Sequence, residues 1–128
     1  MKIILDTHAF IWWDSAPDKL SDIALDSCKD PDNQLILSVA SIWEIQIKAN
    51  LGKIKLNTNL RGVIESQQAA NDLSLLPVKS PHVYELDNLP IIHKDPFDRL
   101  IIAQARVEGA VLLTHDSVLK QYPVEIHW

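Results

Sequence analysis

The sequence predicts an α/β fold, a three-layer α/β/α sandwich around a mainly parallel sheet of four or five short strands. Three observations lead there. Short runs of leucine and β-branched residues alternate with segments of helical periodicity along the chain. The run 111–113 is apolar throughout, as in strands covered on both faces, and 35–37 is similar. Acidic residues directly follow two of the runs, at the strand ends where open α/β sheets hold their ligands.

The first expected strand is 2–5, with Asp6 directly behind it. Residues 7–13 read as a short helix capped by Asp6 or Thr7, since a side-chain oxygen there accepts an otherwise orphaned N–H group. Trp12 and Trp13 cannot both face inward from one helix, so one is expected in the core and the other partly exposed, as suits an interface. Ala16-Pro17 breaks the chain. A second helix is expected over 18–29, with Leu20, Ile23, Ala24 and Cys28 on its apolar face. Asp14, Asp18, Asp22, Asp26 and Asp30 recur every four residues and read as a solvated ridge, partly relieved by Lys19 and Lys29.

Asp30-Pro31-Asp32-Asn33 is a turn, and 35–37 is the second buried strand. Ser38 then caps a long helix to about Leu51, closed by Gly52. Ser41 and Glu44 match a capping box, but Ser38 is better placed as the cap, immediately after the strand. Glu44 and Lys48 also fit an i,i+4 ion pair of about 0.3–0.5 kcal/mol. A basic connection, 52–56, leads to a helix over 58–71 with Leu60, Val63, Ile64 and Gln67 on one side. Residues 73–78 are a third strand-like run, which Pro77 ends or places at an edge.

Pro81 starts a short helix to about Leu86, and 88–90 is a turn. Asp95 is an N-cap with Pro96 at the first helical position. Leu100, Ile101, Ala103, Ala105 and Val107 follow at helical spacing, and Gly109 closes the helix because glycine takes a left-handed conformation at least cost. The strand 111–113 comes next, with Asp116 placed to cap 117–120, and 124–126 fits a final edge strand.

Composition bounds the function. A chain of 128 residues, 47% hydrophobic, is expected to form a single domain over 1–128 with a real core. No apolar run approaches a membrane span, and no basic region leads into a signal-type apolar stretch. Cys28, the single cysteine, has no intramolecular partner and reads as a buried, inert thiol, so the expected compartment is the reducing cytoplasm. A net charge of −5 argues against a simple nucleic-acid-coating protein, although eight of the 12 Lys and Arg fall between residues 48 and 106.

The carboxylates carry the chemistry. Asp6 and Asp116 follow strands, Glu44 lies about two turns into a helix, and Asp98 sits in the first turn of another. Each has a local explanation, such as Asp98 favouring the helix dipole. Local roles do not explain convergence at one sheet edge, where uncompensated carboxylates repel and raise one another's pKa. Mg2+ or Mn2+ would resolve this, since hard cations take oxygen ligands. Such ions bind phosphate oxygens, lower the pKa of a water and stabilise a leaving alkoxide, which is what phosphodiester hydrolysis requires. No Gly-rich phosphate loop or Ser-His-Asp order competes. A phosphoacceptor signalling module would need an acidic pair after the first strand and a lysine after a late one; Asp6-Thr7-His8 and Thr114-His115-Asp116 offer neither.

Four segments then resemble the PIN-domain family, in particular its VapC-type toxins of type II toxin–antitoxin systems: Ile4-Leu5-Asp6-Thr7-His8, Ser38 to Lys53, His93-Lys94-Asp95-Pro96-Phe97-Asp98-Arg99 with Ile102-Ala103-Gln104-Ala105, and Leu113-Thr114 with Asp116. The resemblance covers essentially the whole chain. It implies a PIN-like fold and a metal-dependent endoribonuclease using Mg2+- or Mn2+-activated water. It also implies a homodimer neutralised by a small antitoxin. The family's acidic quartet falls on Asp6, Glu44, Asp98 and Asp116. In this expectation Asp6 and Asp98 hold the principal ion, Asp116 binds directly or through water, and Glu44 assists a second ion or orients the attacking water. Asp95 is a supporting residue or additional ligand, Thr7 and Thr114 orient carboxylates or water, and Arg99 is mainly structural. His8 and His93 read as local hydrogen-bonders, and Lys48, Lys53 and Lys94 as candidate phosphate contacts. His115 stands where many relatives carry Arg or Lys. The other class this composition allows is a non-catalytic PIN-like scaffold binding RNA or protein.

Overall fold

The computed structural model describes residues 1–128 and contains one five-stranded parallel sheet in the order β3-β2-β1-β4-β5. Its strands are β1 (Lys2–Leu5), β2 (Gln34–Ser38), β3 (Ser74–Leu76), β4 (Val111–Leu113) and β5 (Ile126–His127). The helices are α1 (Thr7–Ser15), α2 (Asp22–Lys29), α3 (Val39–Asn50), α4 (Leu60–Asn71), α5 (Ser80–Glu85) and α6 (Pro96–Glu108).

The period-2 geometry of the strands divides the core into two layers. Ile3, Leu5, Leu35, Leu37 and Leu113 face one side, against Phe10 of α1, Ala24 and Cys28 of α2, Ile45 of α3 and Val63 of α4. Ile4, Ile36 and Leu112 face the other, against Ile101, Ile102 and Ala105 of α6. Because both faces are covered, the strands need no polar alternation, and the apolar runs in the sequence follow from that. Cys28 lies in the first layer, and burial pushes its thiol up to about 11, as expected of an inert cysteine. No helix is long and apolar enough to cross a membrane.

Several boundaries depart from the sequence reading. The helix expected over 18–29 is interrupted: Pro17–Lys19 is a single 3-10 turn, Leu20 is extended, and α2 begins at Asp22. Ser21 explains the restart, its hydroxyl accepting the Ala24 N–H at 3.0 Å. The five regularly spaced aspartates therefore do not share one helical ridge. Asn59 caps α4 by accepting the Gly62 N–H at 2.7 Å, so that helix begins at Leu60, later than expected. Trp12 and Trp13 are both half-buried, and neither is a core residue. Ser38 caps α3 through the Ala40 N–H, so the capping box of Ser41 and Glu44 does not form. The last strand is Ile126–His127, displaced toward the C-terminus and paired with Leu112 and Leu113.

The strand order reverses between β1 and β4. Connections from β1 run outward through β2 to β3, and the chain then returns to place β4 on the other side of β1. In open parallel sheets the crevice at such a switch point, beyond the strand carboxyl ends, is where ligands bind.

Leu112 is fully buried between β1 and α6, whereas Ile23 on α2 is largely exposed. Leu112→Ala is expected to destabilise the fold by about 2–5 kcal/mol and Ile23→Ala by less than about 0.5 kcal/mol, as measured by urea denaturation.

Candidate active site

Four carboxylates reach the β1/β4 switch point from four segments. Asp6 ends β1, Glu44 comes from the middle of α3, Asp98 from the first turn of α6, and Asp116 from the turn after β4. They line one cleft of about 330 Å³ with His8, Trp12, Lys48, Asp95 and His115. A wider surface trough of about 750 Å³ lies at the amino-terminal ends of β2 and β3. Its acids, Asp30, Asp32 and Asp72, are exposed and belong to turns and a helix end.

Local folding rules fix each side chain. Asp6 caps α1, with Oδ1 accepting the Ala9 N–H at 2.7 Å. Its Oδ2 accepts the Thr114 hydroxyl, and the same hydroxyl accepts the Asp116 N–H at 3.0 Å. Thr114 thus couples the ends of β1 and β4 through one oxygen. Asp116 Oδ1 accepts the Val118 N–H at 2.9 Å, an Asx-turn that leads into the short 3-10 turn Leu119–Gln121 in place of a cap on 117–120. Asp95 caps α6 by accepting the Phe97 N–H at 2.8 Å and the Asp98 N–H at 3.2 Å, both on Oδ1. That bond sets the first turn of α6 and so the position of Asp98.

Glu44 is 4% exposed, and both of its oxygens are engaged. Thr7 donates to Oε1 at 2.6 Å and the Lys48 ammonium to Oε2 at 2.6 Å. Lys48 is therefore committed to Glu44, which holds its pKa above the usual lysine value. Lys53 and Lys94 are exposed outside the cleft lining. Arg99 points away from the carboxylates. Its guanidinium donates to the Pro90 carbonyl at 2.9 Å, the Tyr122 hydroxyl at 3.3 Å and the Leu86 carbonyl at 3.4 Å, pinning the loop that leads into α6.

Charge crowding is visible in the acids themselves. Burial raises the Asp6 pKa above the ordinary aspartate value, with Asp116 adding to the rise and the Thr114 bond opposing it. Asp98 is pushed up to about 6, first by burial and then by Asp95, with smaller contributions from Glu44 and Asp6. Hard oxygen donors packed this closely fit a divalent cation of the Mg2+ or Mn2+ type. The tightest group of donor atoms is His93, Asp98 and Asp116, within 4.8 Å of one another.

His93, expected from the sequence as a local hydrogen-bonder, is one, and it also brings a ring nitrogen to the group with Asp98 and Asp116. Its Nε2 shares a hydrogen bond with Asp98 Oδ2 at 2.9 Å, while its backbone N–H donates to the Tyr122 hydroxyl at 2.7 Å. The signal for it was the Asp95-Pro96 start of α6, at which the loop turns and sets the residue five before Asp98 beside it.

The family model of the PIN domain matches residues 3–125. The chain belongs to the PIN-domain family. Its sequence is 28% identical over 121 residues to Ribonuclease VapC22 of Mycobacterium tuberculosis (strain ATCC 25618 / H37Rv), covering 94% of this chain and 91% of that protein. Its fold is similar to VapBC2 from Rickettsia felis bound to a promoter DNA fragment, with a TM-score of 0.76, 16% identity, and 99% and 98% of the two chains covered. VapBC-5 from Mycobacterium tuberculosis, a member of the VapBC family of toxin–antitoxin systems, aligns with a TM-score of 0.57, 18% identity, and 94% and 89% covered. Within this PIN domain, the parallel sheet is the framework that displays the acids of the switch-point cleft.

Asp98 binds its proton more tightly in the folded chain, about 6 against 3.8 for an ordinary aspartate, so its ionisation costs stability as pH rises between those values. Without divalent cations, Asp98→Asn is expected to be more stable than wild type at pH 7, by about 1–3 kcal/mol. At pH 4 the two should converge. Urea denaturation in EDTA at both pH values measures the difference.

Proposed function

We propose that this chain is a cytoplasmic, divalent-metal-dependent endoribonuclease, a VapC-type toxin formed by a single PIN domain over 1–128 and held in check by a cognate antitoxin. The observation that carries the proposal is the convergence of Asp6, Glu44, Asp98 and Asp116 in one cleft at the β1/β4 switch point. The ribonuclease relative supports RNA as the substrate, and the VapBC assemblies of similar fold support a protein partner.

In this reading Asp6, Asp98 and Asp116 hold Mg2+ or Mn2+, with Glu44 assisting. When bound, such an ion supplies Lewis acidity toward a phosphate oxygen and lowers the pKa of water. The chain's own residues set the geometry. Thr114 ties the Asp6 carboxylate and the Asp116 backbone to one hydroxyl. His93 orients Asp98 through Oδ2. Thr7 and Lys48 orient Glu44, and each Glu44 oxygen keeps a free acceptor site with which to orient the attacking water. Asp95 supports the site through the start of α6, and Arg99 through the loop before it. The same reading includes a homodimer, for which the exposed Val39 and Trp43 of α3 offer apolar surface.

The test is cleavage of single-stranded RNA in Mg2+. Asp6→Asn and Asp98→Asn are expected to lose about a hundredfold or more in rate, and Thr114→Val and Thr7→Val about tenfold to a hundredfold. Equal cleavage by wild type and the two Asn variants contradicts the assignment of the site. RNA binding without cleavage by wild type would favour the scaffold reading.

A further inference from the structure

One wall of the carboxylate cleft is aromatic, and none of the acid chemistry uses it. Among the lining residues, His8 and Trp12 come from α1 and His115 from the turn after β4; Trp128, which follows β5, lies outside the lining and packs against Trp12 and His115. Their rings form a connected set. Trp12 lies 6.1 Å from His8, 6.0 Å from His115 and 5.9 Å from Trp128, and His115 lies 5.3 Å from Trp128, centroid to centroid. His8 and His115 are exposed, while Trp12 and Trp128 are half-buried behind them. The Lys19 ammonium sits 5.9 Å from the Trp12 ring centroid and adds one positive charge at this wall. The sheet order brings the set together: β5 lies beside β4 in parallel, so both carboxyl ends open on the same edge.

Beyond a bound cation, the cleft floor offers no uncommitted lysine or arginine for phosphate contacts. Among its lining residues the one lysine, Lys48, is already bonded to Glu44. The acids repel a polyanion wherever a cation does not cover them. A single strand passing over such a floor is held best through its uncharged parts, and unpaired bases stack on aromatic and imidazole rings. We propose that His8, Trp12, His115 and Trp128 form a nucleobase-stacking subsite that seats one unpaired base of a single-stranded RNA beside the carboxylates. His115, adjacent to Asp116 and exposed where both indoles are half-buried, is the ring that meets the base; Trp12 and Trp128 each pack against it. This rests on the ribonuclease reading above, and the subsite positions substrate without entering the chemistry.

The test uses a short single-stranded RNA that wild type cuts, selected from a randomised pool and resynthesised with an abasic residue at each position in turn. Steady-state cleavage in Mg2+ is measured for wild type, His115→Ala and His115→Tyr. One abasic position near the cut is expected to raise the wild-type KM about tenfold. His115→Ala should raise KM for the intact RNA by about the same factor, with kcat within about twofold, and should no longer sense that abasic position. His115→Tyr, which restores a ring, should recover both. Trp128→Ala, checked for an unchanged melting transition, should behave like His115→Ala. A flat abasic scan, or an unchanged KM in His115→Ala, overturns the subsite while leaving the ribonuclease reading intact. Weakened antitoxin binding with unchanged RNA cleavage assigns the wall to protein docking and also overturns it. If wild type cuts no RNA, the ribonuclease reading fails. Equilibrium binding of the same RNA pool then decides the subsite: weaker binding by His115→Ala supports it, and equal or absent binding overturns it.

Discussion

The hydrogen bond from Thr114 to Asp6 is the contact on which the site depends. It spans most of the chain in sequence and joins the ends of the two strands at which the sheet order reverses. The hydroxyl donates to one acid and accepts the backbone N–H that precedes the side chain of another. A buried threonine can do this only because β1 and β4 pair in parallel, with Leu5 beside Leu113, so that the residues following each strand emerge side by side. The register of two short apolar strands therefore sets the spacing of Asp6 and Asp116.

Such a site works against the stability of its own fold. Asp6 and Asp98 both ionise with difficulty, chiefly because burial deprives them of water and partly because other carboxylates are near. Glu44 is relieved differently, by an ammonium from its own helix one turn away. The chain thus neutralises one acid internally and leaves a second group, Asp98 and Asp116 with His93, open to an external cation. The two-layer aliphatic core supplies the stability that holds this arrangement, and the caps at Asp6 and Asp95 use side-chain oxygens of the cleft to start two of the helices.

Much of the fold was legible in the sequence because apolar runs, caps and terminators agree with one another. Asp95-Pro96 and Gly109 bracket α6, and Ser38 starts α3 directly after β2. The failures occurred where a local side chain outweighed periodicity. Ser21 restarts a helix that the apolar spacing ran straight through, and Asn59 delays α4. The placement of Asp6, Glu44, Asp98 and Asp116 in one cleft followed from strand ends and helix starts together with the family resemblance. Spacing along α3 also predicted the Glu44–Lys48 pair, which forms one turn apart on that helix, and His93 is the local hydrogen-bonder expected of it. That the partner of His93 is Asp98, and that the His115 ring packs against Trp128 from the far end of the chain, depend on tertiary packing, for which sequence spacing offers little signal.

The central claim is that these acids are gathered to hold a divalent cation. Calorimetric titration of Mn2+ into the protein at pH 7, for wild type and for Asp6→Asn and Asp98→Asn, tests it most directly. The account predicts saturable binding by wild type and at least about tenfold weaker binding by each variant. Equal Mn2+ affinity in all three proteins, or no binding by a folded wild type, would contradict it.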